Sequence, residues 1–165
     1  RPLSRGLGDV YKRQDMPYLR RKFGMIFQDH KLLFDRNCFD NVALPLTINE
    51  TSSVDISRRV RAALNKVGLF DKEKLMPITL SGGEQQRLAI AREIVSRPSR
   101  LIADEPTGNL DKKYADEIML IFYSFQQVGV TVIISSHEAP KSPMQFKELH
   151  LINGELVNNN VPLLS

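Results

Sequence analysis

Four short groupings in the 165-residue chain hold side chains that could manage a phosphate: Gln28, Ser81-Gly82-Gly83, Asp104-Glu105 and His137. The serine and glycines precede an apolar-periodic run (Leu88, Ala91, Ile94, Val95), so they fall at a helix start. Free backbone N–H groups and the positive end of the helix dipole attract an anion there. Asp104 and Glu105 follow the apolar run LIAD, and His137 follows VTVIISS. An acidic residue leaving the C-terminal end of a parallel strand lies at the crevice where such sheets take ligands. Asp104 suits a water-mediated hold on Mg²⁺, a hard cation that prefers carboxylate and phosphate oxygens. Glu105 could orient and deprotonate an attacking water. His137 could donate a hydrogen bond to a phosphoryl group in transfer, and Gln28 could bridge metal, water and a neighbouring lobe.

Each grouping has a plainer role open to it. Ser81 with Glu84 is a capping box, S-x-x-E, which fixes a helix start without any ligand, and both roles are expected of it. An Asp-Glu pair after a strand is commonly a turn, and a histidine there is commonly a hydrogen-bonded strand end. Taken singly, only LSGGEQQR (80–87) points to a ligand. None of the nine glycines begins a G-x-x-x-x-G-K-[ST] phosphate loop, so a second source of phosphate is needed.

The elements that must position these groups can be placed from pattern. KFGMIF (22–27) reads as a strand delivering Gln28 to a loop. A short helix is expected near Phe39 to Leu44, stopped by Pro45. Ser52 or Ser53 caps a helix with Val54, Ile56, Val60, Ala63, Leu64 and Val67 on its apolar face, ended by Gly68. The polar loop DKEKLMPIT leads to LSGGEQQR, whose helix should run to about Arg97 and break at Pro98. LIAD (101–104), a helix over Lys112 to Val128 closed by Gly129, and VTVIISS (130–136) make a β-α-β unit with parallel pairing. In that helix Ala115, Ile118, Phe122 and Phe125 share a face. Asn153-Gly154 marks a terminal hairpin.

Composition narrows the function classes. A hydrophobic content of 42% supports a real core, and no apolar stretch is long enough to cross a bilayer. Cys38 is the lone cysteine, without a disulfide partner or metal-ligand spacing, which suits a reducing cytoplasm. Residues 1–14 carry four basic side chains against Asp9 and so hold three of the four net positive charges. The remaining chain is near neutral and presents no basic face, so no nucleic-acid partner is expected. DVYKRQ (9–14) can be back-translated to a sequence that resembles a transposase sequencing adapter, and residues 1–14 are accordingly expected to be an artefact, the alternative being a genuine basic N-terminus.

In their order, these motifs resemble those of the ATP-binding-cassette (ABC) ATPases. FQDH carries the Q-loop, LSGGEQQR the signature, RLIADEP the Walker B strand with its catalytic glutamate, GNLD the D-loop and SSHE the switch histidine, where THD is commoner. The resemblance covers residues from about 16 to 157. It implies a partial P-loop NTPase nucleotide-binding domain of the α/β class: a parallel sheet core (98–165) plus a small helical lobe (about 39–97). It implies ATP and Mg²⁺ as ligands. Glu105, His137 and Gln28 would be catalytic, Asp104 and Gln28 would serve the metal, and Ser81, Gly82, Gly83, Gln85 and Asp111 would contact nucleotide across a head-to-tail homodimer built through signature and D-loop. In such a dimer the signature caps the γ-phosphate held by the P-loop of the other subunit, which supplies the missing phosphate. The family's P-loop should precede Gln28, so the chain as it stands is expected to be an inactive, N-terminally truncated portion.

GMIFQDHKLLFDRNCFDNVALPL and QQRLAIAREIVSRPSRLIADEPTGNLD look most like the cell-division branch of that family, the FtsE type. Its members pair with the membrane protein FtsX and control peptidoglycan hydrolysis from the cytoplasmic face of the bacterial inner membrane. The lipoprotein-release and macrolide-export ATPases share PTGNLD and are the alternatives, and a non-catalytic fragment is a third. The resemblance implies an FtsX-like integral membrane partner docking near residues 29–47, through Leu32, Leu33, Phe34 and Phe39, about half of which are expected to be core instead. DNA-repair and chromosome-organising ATPases carry coiled-coil arms between Q-loop and signature. Residues 29–80 leave room for a helical lobe only.

Overall fold

The computed structural model describes residues 22–48, 52–108, 110–137 and 146–157. Residues 1–14, Asn109 of the GNLD motif and Glu138 of SSHE lie outside the described residues.

Three parallel strands form the central sheet in the order β1 (Phe23–Ile26), β2 (Arg100–Asp104), β3 (Thr131–Ser135). Phe23 pairs with Arg100, and Arg100 with Thr131; at the other end Asp104 pairs with Ser135. Side chains alternate between faces with period two. One face buries Gly24, Ile26, Leu101 and Ala103. The other carries Phe23, Met25 and Ile133, exposed by 36%, 46% and 51%, an apolar surface that the described residues leave open to solvent.

The helical lobe is α1 (Cys38–Ile48), α2 (Ser53–Lys66) and α3 (Gly82–Ile94). The helix α1 does not stop at Pro45, as the sequence suggested, but continues through it to Ile48. A proline cannot donate to the carbonyl four residues back. Burial of Val42, Ala43 and Leu46 on either side of it nevertheless holds the helix together. In α2, Ser52 is the N-cap, Val60, Ala63 and Leu64 are buried, and Gly68 turns the chain at φ +70°. Val54, expected on the apolar face, is exposed. The loop read as DKEKLMPIT contains two 3-10 turns, Phe70–Lys72 and Pro77–Thr79.

Packing makes α3 the axis of the structure. It buries Leu88, Ala89, Ile90, Ala91 and Ile94, so apolar side chains surround it instead of lining one stripe. Helices α1 and α2 pack on it from the lobe and β1 from the sheet. Gly24 permits that last approach: a Cβ there would lie 2.7 Å from Leu101 Cδ2 and 3.3 Å from Glu93 Cβ. The helix ends at Ile94, before the expected Arg97, because Arg97 itself turns left-handed at φ +55°. Beyond β2, α4 (Lys112–Gln126) buries Ile118, Met119 and Phe122 and returns the chain to β3 through Gly129, φ +87°. The hairpin β4 (His150–Ile152) and β5 (Glu155–Val157) turns at Asn153-Gly154, both with positive φ. No helix among the described residues is long and apolar enough to cross a membrane.

Candidate functional site

The start of α3 is built as a capped helix terminus. Ser81 Oγ accepts from Glu84 N at 3.4 Å, and Glu84 Oε2 accepts from Ser81 N at 3.0 Å, completing the reciprocal box. Lys72 donates to the second oxygen, Glu84 Oε1, at 2.5 Å. That lysine, followed by the Ser81 backbone, holds the Glu84 carboxyl below its usual range. Loss of such a cap costs about 1 kcal/mol.

The two glycines are there for different reasons. A Cβ on Gly83 would sit 3.0 Å from the Tyr114 ring of α4, so Gly83 lets α4 pack against the signature helix. A Cβ added at Gly82 would meet no neighbouring element within 4 Å, so this side of the helix start is open. Gln85 points back toward its own loop, its Nε2 donating to the carbonyls of Pro77 and Leu80 at 3.1 and 3.2 Å. It therefore braces the approach to the helix. Gln86, fully buried, donates Nε2 to the carbonyl of Pro106 at 3.0 Å, and Arg87 pairs with Glu117 of α4.

Gln28 leaves β1 into an exposed turn, where the sequence expected it. His30 and Lys31 both adopt left-handed backbone, φ +58° and +48°. Such a conformation costs a non-glycine residue about 1–2 kcal/mol, so an external hold is required. Arg92 of α3 supplies it, donating Nη2 to His30 O at 3.1 Å and Nη1 to Lys31 O at 2.6 Å. Burial pushes the His30 imidazole below its usual value; Asp29 opposes this and Arg92 adds to it. Beyond the turn, buried Asn41 accepts from Leu33 N at 2.9 Å and donates to the carbonyls of Leu33, Arg36 and Asn37.

The acidic pair and the histidine meet at the C-terminal ends of β2 and β3. Asp104 accepts from Ser135 Oγ at 2.5 Å, which fixes one carboxylate oxygen and orients the other. Glu105 turns left-handed at φ +44°, and its N–H donates to Ser135 O at 3.0 Å. That turn brings its side chain to His137, with Nε2 3.6 Å from Glu105 Oε1. His137 is almost wholly exposed while Glu105 is largely buried. Asp111 is the N-cap of α4 yet makes no side-chain capping bond, so its carboxylate faces outward.

Sequence reading did not single out Arg92, Asn41 or Tyr114. Arg92 acts on residues 61 and 62 positions away, a pairing that no local pattern announces. Of the four apolar residues after Gln28, Leu32 is buried, Phe39 packs partly buried on the core, and Phe34 is 52% exposed.

The sequence profile of the ABC transporter family matches residues 5–108. The chain is 53% identical over 146 residues to the cell division ATP-binding protein FtsE of Escherichia coli K12, covering 88% of this chain and 66% of that one. Thus it spans just under two thirds of that relative's length. Among solved structures it resembles cbiO1 from Clostridium perfringens, part of the ABC transporter complex cbiONQ (TM-score 0.72, 32% identity, 78% of this chain and 52% of that one). It also resembles the dimeric bacterial ABC transporter cassette MJ0796 (TM-score 0.68, 32% identity, 78% and 58%). With its parallel-sheet core, helical lobe and ordered motifs, the chain belongs to the ABC transporter family, as an ATP-binding cassette protein.

Proposed function

We propose that the full-length protein hydrolyses ATP as a head-to-tail homodimer and drives an FtsX-like membrane partner in cell division, bound peripherally at the cytoplasmic face of the inner membrane. The observation that carries the reading is the placing of Asp104, Glu105 and His137 at the ends of adjacent parallel strands. Their identities match the family's metal, base and switch positions. The donor set fits Mg²⁺: one carboxylate, held by a serine hydroxyl, suits a cation that takes most of its ligands from phosphates and water. Bound there, Mg²⁺ would neutralise charge on the phosphate oxygens. Glu105 holds and deprotonates the water, His137 donates to the phosphoryl group, and Gln28 lines the entry from the β1 turn. Ser81 and the Gly82 backbone reach the partner's nucleotide, and Asp111 serves the dimer contact.

Support for the division role comes from the likeness to FtsE, and support for the dimer from the likeness to a dimeric cassette. A related MJ0796 structure holds ADP and Pi. The experiment is phosphate release with calorimetry. The full-length protein should bind Mg-ATP and turn it over, whereas residues 22–165, which have no G-x-x-x-x-G-K-[ST] loop, should do neither. Micromolar binding to the shorter chain would place the phosphate cradle elsewhere.

Phe34 is the anchor offered to the membrane partner. Phe34→Ser in the full-length protein should weaken co-purification with that partner while its melting curve stays within about 0.5 kcal/mol of wild type, as for surface changes. Phe39→Ser should destabilise by about 3 kcal/mol, since its ring packs on the core. Retained binding in a folded Phe34→Ser protein would move the docking site off this loop.

A further inference from the structure

Three of the five non-glycine residues with positive φ among the described residues, His30, Lys31 and Glu105, lie in the two turns that carry Gln28 and Glu105. Both turns are tied to the same helix. Near one end of α3, Gln86 reaches the carbonyl of Pro106, the residue after Glu105, at 3.0 Å. Near its other end, Arg92 reaches the carbonyls of His30 and Lys31. Neighbouring Glu93 Oε2 accepts from Met25 N at 3.3 Å and Glu93 Oε1 from Arg92 Nε at 3.2 Å, so the same helix also grips the strand before the turn. Both positioning side chains are well shielded: Gln86 is 2% exposed and the Arg92 side chain 11%.

We infer that Gln86 and Arg92 are positioning residues through which α3 sets the two left-handed turns bearing Gln28 and Glu105 of its own protomer. The inference deepens the proposed ATPase reading and rests on it for its kinetic arm. The consequence is a rigid link. The helix whose first residues serve the partner's nucleotide also holds the Gln28 and Glu105 turns of its own chain, so a shift of α3 on engaging the partner is passed to both. Planar guanidinium geometry matters here, because one ammonium cannot serve two successive carbonyls in the same way.

The test uses the full-length protein with Arg92→Met, Arg92→Lys and Gln86→Met. Amide hydrogen exchange is read at residues 28–33 and 105–110, with Leu64, Leu88 and Leu101 as core reporters. Steady-state kinetics are read alongside. Arg92→Met should speed exchange in the first turn and Gln86→Met in the second, with the core reporters unchanged. Each should lower kcat by about tenfold, as misplaced catalytic groups do. KM should stay within about twofold, because ground-state binding is untouched. Arg92→Lys should recover part of the loss. Unchanged exchange in the matching turn overturns the inference, as does a loosened turn with wild-type kcat. If wild type itself releases no phosphate, the ATPase reading falls, and the exchange measurements alone decide whether α3 holds the turns. If Arg92→Met also loses core protection, Arg92→Lys decides by the same readings.

Discussion

Glu105→Gln in the full-length protein is expected to lower kcat for ATP hydrolysis by about 10²–10⁴-fold, the range associated with a positioned general base. The amide is isosteric with the carboxylate, so the left-handed turn at φ +44° and the bond from Glu105 N to Ser135 O should persist. What disappears is the ability to take a proton from water. Nucleotide affinity should hold within about twofold, since an interaction made only in the transition state affects kcat and kcat/KM alike. Stopped-flow phosphate release beside equilibrium titration with a fluorescent ATP analogue separates the two. Normal turnover by the variant would remove Glu105 from the chemistry and leave its strained backbone without a functional explanation.

Asn41→Leu should have a large effect on stability. Its side chain is fully buried and makes four hydrogen bonds, three of them to the loop residues Leu33 and Arg36. Leucine fills a similar volume but leaves the N–H and carbonyl of Leu33 without this partner. Each buried group left unsatisfied costs about 1–3 kcal/mol, so a loss of about 3 kcal/mol is expected. For a protein of this size that lowers Tm by about 6–12 °C. Asn41→Asp keeps the acceptor for Leu33 N and loses the donors, so its backbone contacts would be only partly preserved. Calorimetric melts of both variants check the assignment. A leucine variant as stable as wild type would mean that the loop re-forms its hydrogen bonds with water.

Local pattern carried much of the fold. Both β-α-β strands, the capped starts at Ser52 and Ser81, and the Asn153-Gly154 turn follow from period, capping chemistry and glycine placement, all of which act within a few residues. Pro45 misled because its local penalty is outweighed by lobe packing on both sides of it. The end of α3 misled because Arg97, an ordinary helix former, adopts a left-handed turn to enter β2. At the candidate site, motif order drew attention to Gln28, Ser81, Asp104, Glu105 and His137, but not to the side chains that hold their turns in place. Gly82 and Gly83 look equivalent in sequence, and only the Tyr114 ring distinguishes them. Arg92 and Asn41 act on main-chain carbonyls, which every residue possesses, so no residue type in the partner segment signals the contact.

On the proposed mechanism, Ser81 and Gly82 of one chain complete the nucleotide site of another. Sedimentation velocity of full-length Glu105→Gln with Mg-ATP tests it directly, with and without an added Ser81→Arg substitution. Glu105→Gln alone should sediment as an ATP-bound dimer. Adding Ser81→Arg should return it to a monomer that still binds ATP with unchanged affinity, because the nucleotide rests on one chain and the cap comes from the other. A dimer that survives Ser81→Arg, or a monomer that loses ATP binding with it, would contradict a signature acting across the interface.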